Sequence, residues 1–311
     1  MRILFLGTPA FAVPTLKRLV QTRHEIIAVL TQPDRPRGRG LEFAASPVKT
    51  LATQLGLAVM QPEEASSPPP LKKILGLAPD VAVIVAYGQI LKRDFLDLPR
   101  LGCINLHPSL LPRYRGPTPI QSAILAGETT TGVTTMLLDE GMDTGDILLQ
   151  REMEITHDDT AGTLHDKLAE AGADLMIETL EAVETGVVVP YPQDESSATV
   201  TRKLNKKDAT IDWSQPPGKV CDLTRAMDPW PGCQTLLQGK MLKVWKAKPC
   251  LMKAKRGEPG QVVTDERGNL IVHTGSGAVR ILELQLPGGR RMSAEDFTRG
   301  HTIKEGTVLG K

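Results

Sequence analysis

Four cysteines, at positions 103, 221, 233 and 250, are all that 311 residues contain, and none stands in a C-x-x-C pair or at zinc-type spacing. That excludes a disulfide scaffold and a structural zinc module, and it fits a chain working in a reducing cytoplasm. Aromatic residues make up only 4%. No apolar run approaches the roughly 18 residues of a membrane span. The run that opens the chain, MRILFLG, is broken at Thr8 and Pro9, too early for the apolar core of a secretory signal. Internal repeats are lacking. Gly7 is the single glycine where the dinucleotide fingerprint G-x-G-x-x-G needs three, so no nicotinamide site is claimed. No serine or cysteine has a nucleophile setting: Ser109 precedes a leucine pair and Cys103 lies within a strand run. No cluster of ligating residues points to a metal.

What is present describes a globular chain, 41% hydrophobic and 23% charged. Its length suits two domains of about 150 residues. The net charge of +1 hides an asymmetry, because 20 Lys and Arg against 11 Asp and Glu from Arg202 onward give +9 there and leave −8 before it. A basic C-terminal part suggests a polyanionic partner, the alternative being a merely solvated basic domain.

In chain order, residues 2–6 read as a buried strand, 11–20 as a helix and 25–30 as a second strand. The segment TQPDRPRGRGLEFAASPVK follows, with Arg35, Arg37 and Arg39 spaced by Pro and Gly. It can be neither helix nor central strand, and its arginines serve either as phosphate contacts on a flexible arm or as incidental surface charge. Ser46 and Pro47 suit the cap and first position of a helix. After Asp80 the run VAVIVAY wants burial on both faces, as central parallel strands do. Gln89, Ile90 and Leu91 follow at its C-terminal end, where open α/β sheets bind ligands. Residues 101–106 and 132–138 read as strands, 146–155 as a hairpin arm, 120–126 as a helix and 160–185 as a long helix closing the first domain. Beyond a polar, basic stretch come a helix near 219–227 and five short strands divided by glycine-rich turns. The expected architecture is α/β: a Rossmann-like, mostly parallel sheet domain over 1–189, a basic linker over 190–207, and a small β-barrel of OB-like form over 208–311.

The stretch from Cys103 to Asp143 carries the chemistry. On a strand, Asn105 and His107 point the same way and Leu106 points away, so an amide and an imidazole face one small volume. Pro108, Pro112, Pro117 and Pro119 then force a stiff irregular loop. A lone histidine near a strand end is ordinarily structural. Here Asn105, His107 and Asp143 together offer a neutral donor, a titratable group and an anion, the parts that acyl transfer to an amine requires. Arg113 and Arg115 in the stiff loop could meet a ligand carboxylate, a nucleic-acid end or an internal carboxylate.

The segments FLGTPAFAVPTL, TQPDRPRGRG, SPVK, AYGQIL, CINLHPSLLPRYRGPTPIQ, DEGMDTGD, RKLNKKDATIDW and DPWPG resemble the folate-dependent formyltransferases over nearly the whole chain. Asn-x-His with SLLP is the signature of that whole family. The arginine loop, KKDATIDW and DPWPG are more particular to its methionyl-tRNA formyltransferases, although LEF at 41–43 stands where more basic residues are expected. The resemblance implies a formyltransferase catalytic domain, a tRNA-binding barrel, 10-formyltetrahydrofolate as formyl donor and methionyl initiator tRNA as acceptor. It implies catalytic roles for Asn105, His107 and Asp143, and folate contacts from Ser109, Leu110, Leu111 and Pro112. The backbones of Gln89, Ile90 and Leu91 and of Asp139, Glu140 and Gly141 become pterin-pocket candidates. Arg35, Arg37, Arg39, Arg202, Lys203, Lys206, Lys207, Lys243, Lys246 and Lys248 become tRNA candidates. The rival expectations are formyl transfer to a sugar nucleotide or glycinamide ribonucleotide, formyl hydrolysis, and a folate- or RNA-binding protein without turnover.

Overall fold

A computed structural model describes residues 1–37, 42–250, 257–264, 269–301, 303–304 and 306–311. In chain order the first elements are β1 (Arg2–Gly7), α1 (Val13–Leu19), β2 (Glu25–Leu30), β3 (Arg35–Arg37), β4 (Glu42–Ala44), α2 (Pro47–Gln54), β5 (Val59–Met60), α3 (Pro68–Leu77), β6 (Val81–Val85), α4 (Arg93–Leu96) and β7 (Cys103–His107). Next come α5 (Pro119–Ala126), β8 (Thr130–Leu137), β9 (Ile147–Glu154), α6 (Ala161–Thr185) and α7 (Pro217–Ala226). The chain ends with β10 (Cys233–Leu237), β11 (Lys240–Cys250), β12 (Val262–Thr264), β13 (Leu270–Thr274), β14 (Gly277–Gln285), β15 (Met292–Ser293) and α8 (Ala294–Gly300). None of the described helices is long and apolar enough to cross a membrane.

The chain divides into two units: residues 1–119, 130–154 and 165–201 make the first, and residues 120–129, 155–164 and 202–311 the second. The first is built on a seven-stranded sheet ordered β5-β2-β1-β6-β7-β8-β9. Pairing is parallel from β5 to β7, then antiparallel at β8 and β9. β6, all Val, Ala and Ile, is buried at every position, the behaviour that its unbroken apolar run dictates. Gly7 ends β1 where space forbids a side chain: a Cβ would lie 2.8 Å from the Ala12 Cβ and 3.1 Å from the Val85 carbonyl oxygen. Ser46 caps α2, its hydroxyl accepting from the Lys49 amide at 3.0 Å, with Pro47 next in the chain.

Several features differ from the sequence reading. The arginine loop contains a two-stranded hairpin, with Arg35 opposite Ala44 and Pro36 opposite Phe43. Residues 190–201 are tied into the first unit: Tyr191 exchanges backbone hydrogen bonds with Ile147, and Arg115 with Thr199 and Thr201. Their backbone groups are satisfied by distant segments, so they run as a strap and not as a free linker.

In the second unit β10, β11, β14, β13 and β12 form an antiparallel sheet, with β15 added against β14. All five expected strands are present. Their inward side chains, among them Val244, Val262, Val272 and Ile281, pack with Trp213, Val220 and Phe297 in one core.

Candidate active site

β7 is buried along its length, yet its two faces do different things. Leu106 packs against α6 at Gly172, where a Cβ would lie 2.6 Å from a Leu106 methyl. Thr135, opposite Leu106 on β8, hydrogen-bonds the Thr179 hydroxyl of α6 at 2.8 Å. Asn105 and His107 therefore project to the other face, with Met136 and Thr134 as their cross-strand partners. The alternation anticipated from the sequence is the one observed.

His107 is 5% exposed. Its Nε2 lies 3.0 Å from the Tyr114 carbonyl oxygen, so that nitrogen carries a proton and donates it. Nδ1 then faces Asp143, 3.6 Å from Oδ2. Asp143 in turn accepts the Gly116 amide on Oδ2 at 2.7 Å. Tyr114 and Gly116, one residue either side of Arg115, thus hold the imidazole and the carboxylate respectively. Tyr114 and Asp143 both adopt left-handed backbone, at φ of 62° and 57°. The amide of Asn105, 9% exposed, makes no hydrogen bond among the described residues, which leaves a nearly buried donor directed at whatever fills the site.

The SLLP segment is held from beneath. Thr134 donates its hydroxyl to the Ser109 carbonyl at 2.7 Å and accepts from the Leu111 amide at 3.1 Å. Gln150 Nε2 donates to both the Leu111 carbonyl and Thr134, each at 2.9 Å. Ser109 is fully buried and spends its hydroxyl on the Arg113 carbonyl at 2.6 Å. Leu110 lies over Gly132, and Leu111 joins Met136 and Ile147 in a small apolar cluster. These three side chains shape the loop; Ser109 and Leu111 are buried, and Leu110 and Pro112 are partly exposed.

Gln89 uses its side chain as a brace, accepting the Ala65 amide at 2.8 Å and donating to the Pro62 and Glu63 carbonyls at 3.1 Å. Beside it Ile90 is exposed and Leu91 buried, and the backbone groups of 89–91 have no hydrogen-bond partner among the described residues. Asp139 closes its own turn by accepting from the Gly141 amide at 3.0 Å and the Thr144 hydroxyl at 2.8 Å. Glu140 is exposed.

The basic residues fall into two groups. Arg202 is clamped by Asp208, whose carboxyl is held down at about 2 chiefly by that arginine. Lys243 donates to the Pro231 carbonyl at 2.8 Å and lies 5.0 Å from the Trp245 ring centre, a structural cation. Lys246 and Lys248 share Asp158, at 3.8 and 3.1 Å. Arg35 pairs with Glu63 at 3.0 Å. Arg37 lies on β3, and Arg39 lies outside the described residues. Lys203, Lys206 and Lys207 are exposed and have no partner for their ammonium groups among the described residues.

Sequence reasoning missed Gln193 and Glu195, which lie in the strap 78 and 80 residues from the arginine they bind. Arg115 is 4% exposed and meets an internal carboxylate, donating to both oxygens of Glu195 at 3.0 and 2.7 Å. No local motif marks that pairing.

The family model described as formyl transferase matches residues 1–180, and the formyl transferase C-terminal domain matches residues 203–302. A methionyl-tRNA formyltransferase of Caldanaerobacter subterraneus is 48% identical over 99% of this chain and 100% of its own length. Another, from Solibacter usitatus, is 49% identical over 100% and 99%. Among solved structures, HypX from Aquifex aeolicus in complex with tetrahydrofolic acid has a TM-score of 0.65 at 20% identity over 98% of this chain, which spans about half (48%) of that one. An N-formyltransferase from Helicobacter canadensis, in complex with folinic acid and dTDP-3-aminofucose, has a TM-score of 0.68 at 18% identity over 94% of this chain and all of its own. The two solved structures share the fold. Relatives nearly half identical match from end to end and both domain models match in order, so the chain belongs to the formyl transferase family, among the methionyl-tRNA formyltransferases.

Proposed function

We propose that this enzyme transfers the formyl group of 10-formyltetrahydrofolate to the α-amino group of methionyl initiator tRNA, with Asn105, His107 and Asp143 at the reacting atoms. The observation that carries the site assignment is the free Asn105 amide beside an imidazole whose Nε2 is already committed to Tyr114. The unsatisfied backbone groups at 89–91 and the exposed turn at 139–142 are suited to the edge of a flat pterin.

The amine attacks the formyl carbon, and the carbonyl oxygen becomes an oxyanion. The Asn105 N–H stabilises that charge without reorganisation, because it has no acceptor to abandon among the described residues. His107 presents Nδ1 on the same side. A proton on that nitrogen is shared with Asp143 or offered to the oxyanion. Asp143 accepts the proton that the amine loses as the new C–N bond forms and returns it to the departing N10 of the folate as that nitrogen's bond to carbon breaks. Asp143 can serve because Gly116 occupies only Oδ2. No covalent enzyme intermediate is needed.

The tRNA acceptor is supported by relatives of 48–49% identity and by three exposed lysines at 203, 206 and 207 that have no ion-pair partner among the described residues and are suited to phosphate contacts. The test is formyl transfer from 10-formyltetrahydrofolate to methionyl initiator tRNA, with elongator tRNA as control. Asn105→Ala and His107→Ala should each lower kcat by about 10²- to 10³-fold, the cost of an oxyanion donor, with tRNA binding nearly unchanged. A wild-type rate in either variant removes that residue from the reaction. An equal rate on the elongator refutes the stated acceptor.

A further inference from the structure

Accepting the reaction proposed above, we propose that Gln193, through Arg115, is a positioning residue that sets Asp143 against His107. Gln193 is 9% exposed and every polar atom of its side chain is engaged. Its Oε1 receives two guanidinium N–H groups of Arg115, from Nε at 3.0 Å and Nη2 at 2.8 Å. With the oxygen so fixed, the NH₂ group must face the other way, where it donates to the Asp143 and Gly145 carbonyls, each at 2.8 Å.

Three facts make this more than a loop anchor. Asp143 holds a left-handed backbone at φ 57°, a conformation that costs a residue with a Cβ and persists only where its surroundings impose it. The two Gln193 bonds lie on the carbonyls of Asp143 and Gly145, on and beyond that strained residue. The arginine at the other end of the clamp stands between the residue that binds His107 and the one that binds Asp143. Gln193 therefore joins the backbone of the acid to the segment that fixes both side chains. Glu195 holds the fork of Arg115 in register, and that arginine raises no desolvation problem because carboxylate and amide together satisfy it.

The test is a double-mutant cycle in formyl transfer under single-turnover conditions. Gln193→Met keeps the length of the side chain and removes both donor and acceptor. It should lower kcat about 10- to 100-fold, the scale of a misplacement near 1 Å, with KM for both substrates within about twofold of wild type. In an Asp143→Asn background the same change should cost less than about twofold, because the group being positioned is already lost. An undiminished loss in that background overturns the proposal, since Gln193 would then act on the chain as a whole. A wild-type kcat for Gln193→Met overturns it too. Should Gln193→Met fail to fold, Glu195→Ala, at a mostly exposed partner, reads the same clamp. It should lower kcat about threefold alone and have no effect beside Asp143→Asn. Absence of formyl transfer in the wild-type protein would instead refute the reaction itself, and full activity of Asp143→Asn would remove the group that Gln193 positions.

Discussion

Replacing Thr134 by valine removes one oxygen and leaves a side chain of nearly the same shape and the same preference for a strand. The oxygen is fully buried and binds three groups: the Ser109 carbonyl, the Leu111 amide and Gln150 Nε2. Gln150 keeps its second partner, the Leu111 carbonyl at 2.9 Å. The Ser109 carbonyl and the Leu111 amide lose their hydrogen bonds inside a loop that excludes water. Two orphaned buried groups cost about 1–3 kcal/mol each, against which the new methyl contributes about 0.8 kcal/mol of burial. The net loss should be about 3 kcal/mol, which lowers the Tm of a unit of about 150–250 residues, the size class of the first unit, by roughly 6–12 °C.

The same change should reach the chemistry. The loop above Thr134 leads to Tyr114, whose carbonyl holds His107, so kcat should fall as well. Thr135→Val is the internal control. That hydroxyl lies on the opposite face of β8 against Thr179, and its loss should lower Tm while leaving kcat unchanged. Thermal unfolding and formyl-transfer rates on both variants decide the matter. A Thr134→Val protein within about 2 °C of wild type would show that the SLLP loop holds itself.

The Tyr87 hydroxyl is buried with no partner among the described residues, so Tyr87→Phe should leave Tm unchanged or raise it by the equivalent of about 1 kcal/mol; a clear fall would reveal a hydrogen bond at that oxygen. Burial pushes the Cys103 and Cys221 thiols up to about 12 and raises that of Cys233 too, so a disulfide reagent at pH 8 should titrate only the half-buried Cys250 before unfolding, and rapid labelling of two or more would contradict the packing. Arg202 holds the Asp208 carboxyl at about 2, below its ordinary 3.8. Its contribution to stability is therefore complete above pH ~4 and lost as pH falls toward ~2, and Asp208→Asn should flatten the acid limb of Tm against pH in that window; an unaltered limb would rule out the pair as its source.

Patterns within one element were legible in the sequence, and pairings between distant segments were not. The unbroken apolar run VAVIV fitted a strand buried on both faces, and alternation along a strand put Asn105 and His107 on one face, so the position of β6 and the shared face of two of the three proposed catalytic groups followed from spacing. Ser109 and Leu111 matched a family motif, but the motif is silent on direction. A threonine on β8 turns them inward, so their side chains build the loop. Counting charge pointed to a polyanion but could not say which cations are available to it, because Coulomb pairing depends on neighbours that the count ignores. Lys246 and Lys248 meet Asp158, and Arg202 meets Asp208, so a formal excess of +9 in the C-terminal part leaves few unpaired cations among the candidate residues. The unpaired lysines begin at 203, two residues after Thr201, whose backbone is bonded to Arg115. A stretch that composition marks only as basic and polar thus holds two kinds of residue in succession: a strap whose Gln193 bonds the Asp143 carbonyl, then exposed lysines with no ion-pair partner among the described residues. Composition averages over both, which is why neither was visible until each side chain had a partner or lacked one.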